Sequence, residues 1–339
     1  MRMLAGTLAA TARAIGLVLA INALGPACAT AQDAGGKPIR LVVGMPPGGG
    51  VDTYARLVQR HLARHLPGRP TIVVQNMPGA GSLRAVQSLA SSPDEGIVTF
   101  GSSLITESIL SPERVKVDFR SFAFLGNVGD DSRVCYVRNA LGVRNWGDLV
   151  ARDQVIFGGT AAGTSGNLDV ALLRNLFGVK VKLVQGYAGS AAKKLALEKG
   201  EIDGDCGGVT SIPADWLSGR KVNVVIRHTP DNLPGIAADV PFGGALITNE
   251  SERRVYDFLT TPQHLGRLFL VSGKVPRDRL AVLRTAFDAA MADPSFRAEA
   301  SKLGLIVSPM PGAAVDGRIA ALYAVPRELV ARAKAVAGE

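Results

Sequence analysis

One pattern occurs three times between Lys37 and Gly101: a short apolar run closes in a turn of glycine, proline or serine. Ile39 to Val43 leads into Pro46-Pro47-Gly48-Gly49-Gly50, Thr71 to Val74 into Asn76-Met77-Pro78-Gly79-Ala80-Gly81, and Ile97 to Phe100 into Gly101-Ser102-Ser103. Between them, Val51, Tyr54, Leu57, Val58, Leu62 and Leu66 recur at helical spacing, as do Leu83, Val86 and Leu89. Strand-length runs alternating with helical ones predict a parallel sheet with covering helices.

A second set starts near Arg133. Val134 to Val137 and Val155 to Phe157 read as strands, and Asn145 three residues before Asp148 reads as a helix start. The turn Gly158 to Asn167 precedes a helix carrying Leu168, Leu172, Leu173 and Leu176. Val179 to Val184 predicts a strand and Ser190 to Lys199 a helix, and Ile202 with Val222 to Ile226 complete the set. Beyond Pro241 the pattern weakens, with a strand at Leu268 to Val271 and helices at Arg277 to Ala292 and near the C-terminus. A chain of 339 residues suits two lobes better than one core, and 47% hydrophobic against 20% charged residues argues against disorder. The expected lobes are residues 32–132 with 241–339, and residues 133–240, joined by two crossings.

Residues 1–31 read as a signal peptide. Arg2 and Arg13 precede the apolar stretch Ala14 to Leu24, and Ala29-Thr30-Ala31 is a small-x-small cleavage pattern, so the mature chain is expected to start near Gln32. A retained anchor is disfavoured by the shortness of that stretch, and lipidation at Cys28 by the adjacent Gly25 and Pro26. The mature chain then carries 36 basic and 29 acidic residues, an excess that suits an anionic small ligand. No basic block with interleaved aromatics argues for nucleic acid. Export leaves Cys135 and Cys206, which either form a disulfide or remain as two buried thiols.

In a parallel α/β sheet the strand-to-helix turns gather at one edge, where ligands bind. A turn opening a helix offers unpaired N–H groups and the positive end of a dipole, glycine lets a ligand approach, and proline stiffens the turn. Three such turns, Pro46 to Gly50, Met77 to Ser82 and Gly158 to Ser165, point to a bound carboxylate or phosphate. Thr160, Thr164 and Ser165 add hydroxyl donors. Asp52 is expected to cap the first helix, with a ligand amine as the sharper role. No G-x-S-x-G, Walker or G-x-G-x-x-G pattern occurs. His61 and His65 lack the glutamate of a zinc motif and read as surface histidines, and His228 and His264 have no local acidic or cysteine partner. No metal, cofactor or catalytic residue is expected.

These segments resemble the Bug/TctC family of periplasmic solute-binding receptors that serve tripartite tricarboxylate transporters. The resemblance rests on KPIRLVVGMPPGGGVDTYARLV, IVVQNMPGAGSLRAVQSLA, FGGTAAGTSGNLD and GYAGSAAKKLALEKGEIDGDCGG. It implies a type II periplasmic-binding-protein fold, two α/β lobes with a ligand cleft between them. It further implies an organic acid held by backbone amides and waters. The implied pincer is Pro47, Gly48 and Gly49 with Gly79, Ala80 and Gly81, and Ser102 and Ser103 stand at the third strand end. Thr160, Gly163, Thr164 and Ser165 face them, over a floor of Tyr187 and Gly207. It also implies a Cys135–Cys206 bridge. Met77 and Ser82 depart from the usual arginine and glycine of the second turn. The expected function is a periplasmic, monomeric receptor that delivers a small organic acid to the membrane subunits of such a transporter, or reports occupancy to a sensor kinase. The alternative is a periplasmic enzyme acting on a carboxylate with Asp52 or Asp205 as base.

Overall fold

Two sheets organise the chain, which the computed structural model describes over residues 38–91 and 96–338. The expected leader, with Cys28 and the cleavage site, lies outside the described residues. In chain order the first part runs β1 (Ile39–Val43), α1 (Gly50–His65), β2 (Ile72–Asn76), α2 (Leu83–Ser91), β3 (Gly96–Thr99), α3 (Ser103–Leu110) and β4 (Phe122–Asn127). The middle part is β5 (Arg133–Arg138), α4 (Trp146–Val150), β6 (Val155–Gly158), α5 (Ser165–Asn175), β7 (Val181–Val184), α6 (Ser190–Glu198), β8 (Gly204–Gly208), α7 (Ala214–Ser218) and β9 (Val222–Arg227). The chain ends with α8 (Glu250–His264), β10 (Leu268–Ser272), α9 (Arg277–Ala292), α10 (Pro294–Lys302), β11 (Met310–Pro311), α11 (Gly312–Tyr323) and α12 (Arg327–Ala337).

The first sheet has the order β11-β4-β10-β3-β1-β2 and the second β7-β6-β8-β5-β9. The three strands expected to lie parallel, β1, β2 and β3, do so, but both sheets are mixed: β10 lies antiparallel to β3 and β4, and β5 antiparallel to β8 and β9. Strands joined by a covering helix, such as β1, β2 and β3, are parallel because that crossover forces it. β5 and β10 are each the first strand after the chain passes between sheets, so no crossover fixes their direction.

Burial follows the pleat. In β1, Leu41 and Val43 enter one core with Leu57, Val58 and Phe287, and Val42 enters the opposite core with Val86, Val98 and Leu259. Such two-sided cover turns the strand into a continuous apolar run. The second sheet divides likewise, with Cys135 and Val137 on one face and Val134 and Tyr136 on the other. Asn145 accepts from the Asp148 N–H at the start of α4, as expected. Cys135 and Cys206 are direct partners across β5 and β8, Cα atoms 4.1 Å apart, and form a disulfide. Among the described residues no helix is long and apolar enough to cross a membrane.

Candidate functional site

Residues following β1, β2 and β3 face residues following β6, β7 and β8 across a cleft of about 680 Å³, within the range of small-molecule sites. Of the expected site residues, Pro47, Gly48, Gly49, Gly79, Ala80, Gly81, Ser102, Thr160, Thr164, Ser165, Tyr187 and Gly207 all line it.

Four helices begin on this cleft without a side-chain cap: α1 after Gly49, α3 after Ser102, α5 after Thr164 and α6 after Gly189. Elsewhere Asn145, Asn249 and Asp293 cap α4, α8 and α10 with their side chains, and prolines precede α7, α9, α11 and α12. At α1, α5 and α6 the first-turn N–H groups have no carbonyl one turn back and present donors and partial positive charge to the cleft, whereas in α3 Leu104 and Ile105 donate to the Gly101 and Ser102 carbonyls.

The turns that carry these starts are packed closely. Ser82 is buried; its hydroxyl donates to the Gly44 carbonyl at 3.0 Å and accepts from the Gly101 N–H at 3.0 Å, tying all three turns of the first sheet together. The departure at Ser82 thus has a structural role. The second turn is strained, with φ of 44° at Ala80 and 85° at Ser82 flanking Gly81 at 62°.

Several expected donors are engaged elsewhere. The Gly48 N–H donates to Asp52 Oδ2 at 2.9 Å, leaving Gly49 and the first turn of α1 as the open amides of that loop. Thr164 donates its hydroxyl to the Ala161 carbonyl at 2.9 Å, so the 2.8 Å contact between Thr160 and Thr164 takes the Thr160 proton as well. Asp52 is not the cap residue, since Gly49 holds that position. Its carboxylate also accepts from Arg56 Nε at 3.0 Å and Asn76 Nδ2 at 2.9 Å and lies off the cleft lining. Burial would raise its pKa, but Arg56, the Gly48 amide and Asn76 outweigh that and hold it below the ordinary value. Ser103 is buried in α3 away from the cleft, and Gly163 faces Glu107 in a separate cavity.

Of the histidines, His61 is not at the surface expected of it. His61 is buried, 2.8 Å from Glu299 Oε2, because α10 packs over that face of α1. In space His228 meets Tyr256 at 3.0 Å and Cys135 Sγ at 3.7 Å, and His264 meets Asp130 at 2.5 Å.

Charged lining residues were not singled out from the sequence. Arg133, Lys193 and Arg267 line the cleft and are 4 to 6% exposed, each beside a carboxylate. Asp131, in the crossing from β4 to β5, accepts from Arg133 Nη1 at 2.9 Å and from Arg267 Nη2. Arg133 Nε also donates to Asp169 Oδ2 at 2.6 Å, Gln263 donates to Asp169 Oδ1 at 2.7 Å, and Lys193 pairs with Asp205. Arg267 lies over the Tyr54 ring, 4.8 Å from its centroid. Burial alone would raise the Asp131 pKa, but Arg267 and Arg133 hold it below the ordinary value. The available sequence signal was a lone charge abutting a buried strand, as in Arg133-Val134-Cys135 and Arg267-Leu268-Phe269.

No family model matches the chain. Protein BugT of Bordetella pertussis is 27% identical over 218 residues, 61% of this chain and 66% of BugT. The chain spans from about a quarter to two thirds of the length of the curated relatives it matches. Among solved structures, the periplasmic binding protein BugD superposes with a TM-score of 0.70 at 18% identity, covering 88% of this chain and 97% of BugD. MatC of Rhodopseudomonas palustris, with bound malate, gives 0.68 at 16% identity, covering 89% of this chain and 99% of MatC. The chain is similar in sequence to BugT and shares the two-lobed α/β fold of the Bug/TctC periplasmic binding proteins.

Proposed function

We propose that this protein is an exported solute-binding receptor that closes its two lobes over a small organic acid in the periplasm. It then presents the acid to the membrane subunits of a tripartite tricarboxylate-type transporter. The observation that carries the reading is the convergence of the open starts of α1, α5 and α6, from both sheets, on one cleft. Each start favours an anion by about 0.3–1 kcal/mol when exposed and up to about 2 kcal/mol when partly buried. A carboxylate between the lobes draws on several at once, and such contacts exist only when the lobes are close, which is how a ligand drives closure. The malate held by MatC, which has the same fold, supports an organic acid as cargo.

The enzyme reading needs a free base. Asp52 is held by Arg56, Asn76 and the Gly48 amide, and Asp205 by Lys193 and the Tyr136 hydroxyl at 3.0 Å.

The test is a thermal-shift screen of the chain from Gln32, refolded free of carried-over ligand, against mono-, di- and tricarboxylates, amino acids and phosphate. Binding to the native state stabilises it by about 2.7 kcal/mol at a hundredfold excess over Kd. A rise with one class of acid, which is recovered unchanged afterwards, is the expected outcome. A flat panel defeats the receptor reading, and conversion of the acid favours the enzyme.

A further inference from the structure

Crossings of unequal length join the two sheets. Residues 228–249 lie between β9 and α8, whereas only Val128 to Ser132 lie between β4 and β5. Within the short crossing the backbone changes partners between neighbouring residues. The Asp131 N–H donates at 3.1 Å to the Gln263 carbonyl of α8, which packs on the first sheet, and the Ser132 carbonyl accepts at 3.0 Å from the Val209 N–H just after β8. Only the backbone torsions of Asp131 and Ser132 separate those two bonds, so a rotation of the lobes that keeps both must pass through them. Ser132 holds the outlying torsion: its φ of 47° is left-handed, a conformation that costs a residue with a Cβ, and the residue is 3% exposed. Its N–H donates to Asp130 Oδ1, so the turn is held at both ends. The lobes are in contact while it is held. A Cβ on Gly189 would lie 3.7 Å from Pro46 Cγ, and one on Gly81 3.8 Å from Thr164 Cγ2, each reaching across the cleft, so the form described is a closed one.

We propose that Ser132 is a positioning residue that sets the receptor's affinity through its backbone: the left-handed turn is required only by the closed form, so its strain biases the free protein toward an open one. This rests on the receptor reading above and adds to it where the cost of closure is stored. Glycine would adopt this φ freely. With serine there, the acid must supply the difference, and the apparent affinity falls with the fraction of free protein that is closed. Strain of this kind persists only where the surroundings over-determine it, which the bonds from Val209 and to Asp130 do here.

Small-angle X-ray scattering without acid, and isothermal titration with the carboxylates of the screen above, L-malate first, compare the chain from Gln32 with Ser132→Gly and Ser132→Thr. Ser132 does not line the cleft, so neither change touches the acid. The unaltered free protein is expected to have a radius of gyration above that of the closed form, and acid to reduce it. Ser132→Gly should contract the free protein and tighten acid binding roughly fivefold, equivalent to about 1 kcal/mol. Ser132→Thr, whose β-branched side chain tolerates left-handed backbone less well, should expand it and weaken binding. Arg220→Gly relieves a φ of 50° in an exposed turn before β9, outside both crossings, and should change neither reading. Ser132→Gly behaving like Arg220→Gly, or a free protein that already scatters as the closed form, overturns the hinge role and leaves the receptor reading intact. A changed urea midpoint in Ser132→Gly with scattering and affinity unaltered assigns Ser132 a structural role and also overturns it. Absence of binding by any acid of the screen defeats the receptor reading and this proposal together.

Discussion

Ser82 shows how one residue can serve packing and site geometry at once. Its hydroxyl joins two turns and its backbone sits at φ 85°, so both terms enter any substitution. Ser82→Ala keeps the strain and strips a buried N–H and a carbonyl of their partner, and should lower unfolding free energy by about 1–3 kcal/mol, measured by urea denaturation. Ala80→Gly, at φ 44°, should do the reverse by about 1 kcal/mol in the same assay. For the ligand, Gly49→Val is a cleaner probe than a change at Gly48. The φ of 77° at Gly48 adds a folding cost, whereas a Cβ at Gly49 meets only the Pro46 carbonyl oxygen at 3.7 Å. Gly49→Val should weaken acid binding at least tenfold by titration with little change in melting temperature. Glycines and prolines in these turns were legible because backbone conformation is a local property. Arg133, Lys193 and Arg267 were not, because a buried charge becomes visible only through partners distant in sequence.

Among the elements, those joined by local crossovers were read nearly to their ends, from β1 through α2 and again from β5 through α6. β8 was missed because Gly204-Asp205-Cys206-Gly207-Gly208 has no β propensity to detect; its place is fixed by pairing with β5 and β6. α8 was hidden by a polar composition and an internal Pro262, although Asn249 caps it through the Glu252 N–H. β4 was passed over although Gly126-Asn127 and Gly129-Asp130 mark a turn at its end, and its direction relative to β10 follows from long-range pairing. The disulfide joins β5 to β8 at the cleft floor and closes a loop with a sequence separation of 71. Replacing both cysteines with serine should cost about 2–4 kcal/mol in unfolding free energy, as should reduction by a strong thiol, compared by denaturation in oxidised and reduced samples.

For the whole molecule, acid sensitivity has two separate sources. His228 is buried, which lowers its pKa despite the pull of Asp169, so the unfolded chain takes up that proton first. This contribution is present above about pH 6.5, the unfolded value, and is lost as pH falls through the lower folded value. Asp52 and Asp131 have pKa values held below the ordinary carboxylate range, so their contribution is present above about pH 4 and disappears as pH falls through the lower folded values. Denaturant midpoints should therefore be level from pH 8 to 7, decline below about 6.5 and drop again below about 4. His228→Gln should remove the first decline and keep the second.

The interleaving of β10 between β3 and β4 also sets a timetable. The strands of the second sheet are consecutive in the chain, whereas the first sheet needs a strand that arrives more than a hundred residues after its neighbours. A chain that folds as it is released from its N-terminus can finish the inserted half first, while the earlier half waits with an open edge between β3 and β4. That interval exposes apolar strand surface to other chains and is where a chaperone would be needed. Pulsed hydrogen exchange during refolding should protect amides of β6 and β8 before those of β3 and β4, and earlier protection of β3 and β4 would contradict this order.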